Sequence, residues 1–154
     1  MDAAEVTVMR PEALRWSGLL ILAAAGAAAC VGSTEADPVT QWETQLVAEL
    51  AYPGLRGQAA AISRLGGTDV GIGIDGAEPE GVQVWGVRLG TCASPSEQIG
   101  PDNDYPDLFV GETGSAEAET HLTHRLSIGN SYNVEVRESS ADGSTIACGD
   151  LVRR

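Results

Sequence analysis

Two short segments, each carrying one cysteine inside a strand-like pattern, constrain this chain most. The first runs Val84-Trp85-Gly86-Val87-Arg88-Leu89-Gly90-Thr91-Cys92, and the second Thr145-Ile146-Ala147-Cys148-Gly149-Asp150-Leu151. Together they predict an all-β domain, a β-barrel closed by one disulfide. The composition agrees: 19 glycines and only 5% aromatic residues in 154 suit short strands joined by many turns. One domain with a real core fits this length once a leader is removed.

The leader is read from residues 1–29. Arg10 and Arg15 form a positive n-region, followed by the small, apolar run Ser17–Ala29. That run is too short for a membrane span, which needs about 20 residues, and reads as the h-region of a signal peptide. Asp2 and Glu5 sit badly in an n-region, so Met9 is an alternative start. The junction Ala27-Ala28-Ala29-Cys30 resembles a bacterial lipoprotein cleavage box, in which the cysteine is lipidated and becomes the new N-terminus. Ala27 stands where that family usually has leucine. The resemblance implies an exported cell-envelope protein held to the membrane through Cys30. No aspartate follows Cys30, so the cue for inner-membrane retention is absent, and the outer membrane is expected if the host has one. Residues 30–40 then form the lipidated cysteine and a flexible tether, and 41–154 the barrel. Lipidation consumes one of three cysteines and leaves Cys92 and Cys148 to pair in an oxidising compartment.

Charge excludes one class of partner. The chain has 22 acidic side chains and 9 basic ones, all arginine. Removing the leader takes Asp2, Glu5, Glu12, Arg10 and Arg15 and leaves a net charge of −12. Such a surface repels phosphate backbones, so no nucleic-acid partner is expected.

Alternation places most strands. Trp42, Thr44, Leu46, Ala48 and Leu50 alternate with Gln41, Glu43, Gln45, Val47 and Glu49, which predicts one buried face. Residues 57–64 form a second strand of small residues, and Gly66-Gly67 turns it into a third carrying Val70, Ile72 and Ile74. Residues 82–88 form the fourth. Residues 93–115, with Pro95, Pro101 and Pro106, read as a long loop with an apolar plug of Tyr105, Leu108, Phe109 and Val110. Residues 117–128 fit a strand or a helical turn equally. Tyr132, Val134 and Val136 mark a further strand, and 145–151 the last. Seven or eight short strands between glycine turns indicate a Greek-key barrel or sandwich.

At this point the chain resembles the copper/zinc superoxide dismutase family. That family carries a His-x-His pair on a strand followed by Gly-Thr-Cys, then Tyr-Pro-Leu, then Tyr-x-Ile-Asn-Val-His-x-Ser, and ends in Ala-Cys-Gly-Asp-Ile. This chain has Gly90-Thr91-Cys92, Tyr105-Pro106-Asp107-Leu108, Tyr132-Asn133-Val134-Glu135-Val136-Arg137-Glu138-Ser139 and Ala147-Cys148-Gly149-Asp150-Leu151. The resemblance runs from Gly57 to Leu151. The departures fall on the metal ligands. The His-x-His positions are Gly86 and Arg88, the late copper histidine is Arg137, and the loop from Cys92 to Glu119 holds no histidine. Glycine has no side chain, and arginine does not deprotonate to bind a metal.

The resemblance therefore implies a barrel without a metal cofactor and without catalysis, a binding or structural module whose protein or small-molecule partner is unknown. One alternative is a residual metal-dependent redox enzyme of the dismutase type, although two histidines fall short of the four its copper site takes. The other is an anion or small-molecule binder using Arg88 and Arg137. Strand parity turns Trp85 and Val87 inward and Gly86, Arg88, Glu135 and Arg137 outward, and the resemblance brings the two arginines together. The expected face is a surface cluster of Arg88, Glu135 and Arg137. His121 and His124 make at most a weak two-ligand metal site. Asp102, Asp104, Asp107 and Glu112 read as a solvated acidic loop rather than a calcium site, because their spacing fits no calcium loop. No Gly-x-Ser-x-Gly or phosphate-cradling motif is present.

Overall fold

The structure is a computed structural model that describes residues 38–139 and 143–154. The leader, Cys30 and most of the tether lie outside the described residues. Among the described residues, ten strands follow in chain order: β1 (Thr40–Ala48), β2 (Arg56–Arg64), β3 (Gly67–Asp75), β4 (Val82–Thr91), β5 (Ser94–Gln98), β6 (Leu108–Phe109), β7 (Ala116–Leu122), β8 (Tyr132–Arg137), β9 (Thr145–Asp150) and β10 (Val152–Arg153). They form a curled antiparallel sheet in the order β5-β4-β8-β9-β1-β2-β3-β7, with β10 against β1 and β6 against β4. The expected all-β fold with one disulfide is present, as a half-barrel.

Alternation explains the inner face. Trp42 and Leu46 on β1, Val70, Ile72 and Ile74 on β3, Trp85 and Val87 on β4, and Tyr132, Val134 and Val136 on β8 are all buried in one core. Burying each large apolar side chain contributes about 1.5–3 kcal/mol. The alternation in β1 does not extend to Leu50, which is 98% exposed, because the strand ends at Ala48 and the chain turns there.

Three sequence expectations are corrected. Residues 93–115 are not one long loop: β5 pairs with β4 from Thr91↔Ser94 to Arg88↔Gln98, and a 3-10 turn follows at Asp102–Asp104. The sequence of β5, Ser-Pro-Ser-Glu-Gln, has no apolar alternation. It forms because a two-residue turn at Cys92-Ala93 folds it back on β4, and Pro95 is tolerated because this is an edge strand. The apolar plug includes Tyr105, Leu108 and Val110 but not Phe109, which is 72% exposed. The Trp85 indole N–H donates to the Pro106 carbonyl at 2.8 Å, its ring stands edge-on to Tyr105 at 5.0 Å, and the Tyr105 hydroxyl donates to the Ile99 carbonyl at 2.5 Å. Desolvation pushes the Tyr105 phenol up to about 12, so it stays a neutral donor. The open choice over residues 117–128 resolves as strand β7 as far as Leu122, paired along β3 from Thr68↔Leu122 to Ile74↔Ala116, and residues 123–128 are neither strand nor helix.

The third correction concerns β8. All six of its residues are buried, not only the inward three. Its second face, Asn133, Glu135 and Arg137, carries polar side chains under cover. Polar groups in that position require partners, and those partners define the site.

Candidate functional site

The site is a row across three strands. Gly86 on β4 is the register partner of Glu135 on β8, which is the partner of Cys148 on β9. Side chains directly opposite in a sheet share a face, so the carboxylate and the disulfide lie side by side. Arg88, two residues from Gly86, and Arg137, two from Glu135, share that face.

Both guanidiniums converge on one carboxylate oxygen. Arg88 Nη1 donates to Glu135 Oε1 at 2.9 Å, and Arg137 Nε lies 3.2 Å from the same oxygen. Arg88 Nε donates to the Ser96 carbonyl at 2.9 Å, which ties the cluster to β5. Arg137 Nη2 donates to Gln98 Oε1 at 3.2 Å, and Gln98 Nε2 donates onward to Asp102 Oδ1 at 2.8 Å. The result is a chain of contacts from Asp102 through Gln98, Arg137 and Glu135 to Arg88.

The expected adjacency of Arg88 and Arg137 is therefore present, but the expected solvent exposure is corrected. The side chains of Glu135, Arg137 and Arg88 are 6%, 10% and 26% exposed. The cause is the hairpin strand β5, whose terminal Gln98 lies over β4. An ideal Cβ on Gly86 would lie 2.7 Å from Gln98 Oε1, so the missing side chain at Gly86 is the space Gln98 uses to reach Arg137. Sequence reasoning missed Gln98 because nothing in Ser94–Gln98 marks a strand.

This arrangement does not fit a copper or zinc centre. Two of the outward positions carry permanent cations, the third carries no side chain, and its space is filled by a hydrogen-bonded amide. A cation placed there would meet two guanidiniums. Among the described residues, no three His, Cys, Asp or Glu side chains come together as a metal-holding group.

Beside the row, Cys92 and Cys148 are bonded, with Cα atoms 5.9 Å apart. The Cys92 backbone N–H also donates to Asp150 Oδ1 at 2.6 Å. Thus Asp150, in the Ala-Cys-Gly-Asp segment, holds the turn that carries the other half-cystine. Gly149 is required beside it: an added Cβ would lie 2.5 Å from Thr44 Oγ1 and 2.7 Å from the Gln45 carbonyl oxygen.

The remaining sequence candidates are spent elsewhere. His121 and Asp69 are register partners across β7 and β3, with His121 Nδ1 2.7 Å from Asp69 Oδ1. That hydrogen bond, with the charge of nearby Arg64, holds the exposed Asp69 carboxyl below its usual pKa. His124 gives its carbonyl oxygen to the Thr68 hydroxyl at 2.8 Å. In the acidic segment, Asp102 receives the Gln98 amide, while Asp107 and Glu112 are exposed.

No protein-family model matches this chain, and no curated protein matches it.

Proposed function

We propose that this chain is a non-enzymatic, lipid-anchored protein of the bacterial cell envelope, whose domain is a metal-free relative of the copper/zinc superoxide dismutase barrel. The Gly-Thr-Cys and Ala-Cys-Gly-Asp segments, joined by their disulfide, support the kinship. So does the strand order, in which long crossovers from β3 to β4 and from β7 to β8 link strands that are not neighbours, connectivity of the Greek-key kind. The observation that carries the reading is the buried contact that joins Arg88 and Arg137 through Glu135, the two arginines standing where the resemblance would put copper-binding histidines. An ion network has taken over the role of tying β4, β8 and β5 together on this face. The domain then serves as a disulfide-locked binding or structural module at the membrane.

The alternative of an anion site on the two arginines is the weaker reading. Glu135 already stands between the guanidiniums, where an anion would bind, and leaves the cluster only one net positive charge.

One experiment addresses both anchor and chemistry. Produced in a bacterial host with labelled palmitate, the full chain is expected in the membrane fraction, labelled, and inactive in a dismutase assay supplied with copper and zinc. Cys30→Ser should lose the label and leave the membrane fraction without changing the assay. Unlabelled chain would remove the anchor, and metal-dependent turnover would restore the redox alternative.

A further inference from the structure

The two ends of the curled sheet differ in charge. One end carries the connections that follow β1, β3, β6 and β8. The other carries the entry into β1, the turns after β2 and β4, and residues 123–131 between β7 and β8. Among the described residues, the connections at the first end hold Glu49, Glu78, Glu80, Glu112 and Glu138 and no arginine. Arg56, which opens β2 there, stands opposite Asp75. The connections at the second end hold no carboxylate, and Arg64, Arg125, Arg153 and Arg154 gather at it. Arg64 pairs with Asp69 at 3.5 Å, and Arg154 with Glu43. Arg125 and Arg153 have no carboxylate partner among the described residues. The acidic segment 99–107 runs along the side of the sheet, where the Asp104 carbonyl accepts the Thr120 hydroxyl on β7. In a chain of net charge −13, the second end is a local exception.

The same end is apolar at its tips. Leu65 and Gly66 form the tip of the two-residue turn closed by the Arg64↔Gly67 pair. Ile128 and Gly129 form the tip of another turn, in which the Asn130 N–H donates to the Ser127 carbonyl at 3.2 Å. Leu65 is 67% exposed, Ile128 66%, and Val39, just before β1, 55%. A Cβ on Gly66 or Gly129 would meet nothing within 4 Å, so both tips stand clear of the fold. Exposed tips ordinarily take polar residues, glycine or proline. A leucine and an isoleucine there bury nothing. The tips are nevertheless fixed in place. Leu126 N–H donates to Ser63 Oγ at 3.2 Å, the Thr68 hydroxyl to the His124 carbonyl at 2.8 Å, and Arg125 Nη2 to the Pro38 carbonyl at 3.1 Å. These bonds hold residues 123–131 beside the β2–β3 turn and beside the point where the chain enters the domain. Pro38 is eight residues from Cys30, a span of at most about 29 Å for an extended chain.

We propose that this end of the domain rests on an anionic lipid surface, with Val39, Leu65 and Ile128 at the level of the headgroups and Arg125 and Arg153 on lipid phosphates. The choice of partner rests on the lipid-anchor reading above. Apolar tips beside guanidiniums suit an interface, where one leaves water and the other stays among charged headgroups. The five carboxylates of the opposite end are repelled by the same surface, which sets the orientation. A symmetric contact with a second copy would instead place this cationic end against itself.

The test is backbone amide NMR of the full chain on nanodiscs that contain a gadolinium-chelating lipid, in phosphatidylcholine alone or with phosphatidylglycerol added. On the anionic discs, the amides of Val39, Leu65 and Ile128 should broaden more than those of Leu50, Gly54 and Glu80, which lie a strand length of about 30 Å away. Omitting phosphatidylglycerol or raising the salt should lessen that contrast. Arg125→Gln with Arg153→Gln should lower the docked-to-free ratio on anionic discs by about tenfold or more. Leu65→Ser with Ile128→Ser should do the same by removing the apolar tips. Lipid-free spectra check that each variant folds, and the lipid and salt comparisons decide for the unaltered chain. Equal broadening at both ends, or a contrast indifferent to lipid charge, would overturn the proposal. Shifts at the same amides that follow protein concentration instead of lipid would assign the surface to a second copy and overturn it too. A palmitate-labelled chain without the contrast sinks the docking and leaves the anchor standing, and an unlabelled chain that shows it does the reverse.

Discussion

Replacing Glu135 with alanine should lower the unfolding free energy by about 3–5 kcal/mol, the cost of leaving a buried charge without its partner. Glu135 Oε1 accepts from Arg88 and pairs in charge with Arg137, so the substitution removes one anion and leaves two guanidiniums facing each other under Gln98. Neither can shed its proton to relieve the repulsion. Replacing the whole cluster, with Arg88→Leu, Glu135→Leu and Arg137→Met together, should come out near neutral, because desolvating three charges costs about as much as their attraction returns. Urea unfolding of the wild type, Glu135→Ala and the triple variant measures both. A loss below about 1 kcal/mol for Glu135→Ala would place the cluster with exposed surface pairs, whose net contribution is that small.

Removing the disulfide should cost a similar amount by a different route. Cys92 and Cys148 are separated by 56 positions. Closing a loop of that length in the unfolded chain is worth roughly 4 kcal/mol on the chain-entropy model. The native state loses little geometry when the bond is cut. The Cys92 N–H remains on Asp150 Oδ1, and Gly149 still packs against β1. The effect should therefore appear mainly in the unfolded state. Cys92→Ser with Cys148→Ser should lower the denaturation midpoint and raise the m-value, since a freer chain exposes more surface. Unchanged midpoints between oxidised and reduced protein would contradict this.

The two effects bear on what the sequence made legible. The strands with branched apolar alternation, β1, β3, β4 and β8, were readable because one buried face imposes period two. Strand β5 was not, since Ser94–Gln98 has no apolar residue and owes its place to a turn next to Cys92. Strand β7 was ambiguous because its buried positions include alanine, a strong helix former, in place of the branched residues that mark a strand. Within the site, parity put Arg88 on the second face of β4 and Glu135 and Arg137 on that of β8, while only the resemblance brought the two strands together. Their burial could not be read locally, because the cover is Gln98, which is 37 residues from Glu135 in the chain.

Under the proposed kinship, an ion network stands where the resembled family holds its metal, and elemental analysis of the full chain, purified from cells grown with added copper and zinc, decides the point. Neither metal should be present in stoichiometric amount, because the corresponding positions offer two guanidiniums and a glycine instead of imidazoles. About one copper or zinc ion per chain, retained through purification, would contradict it.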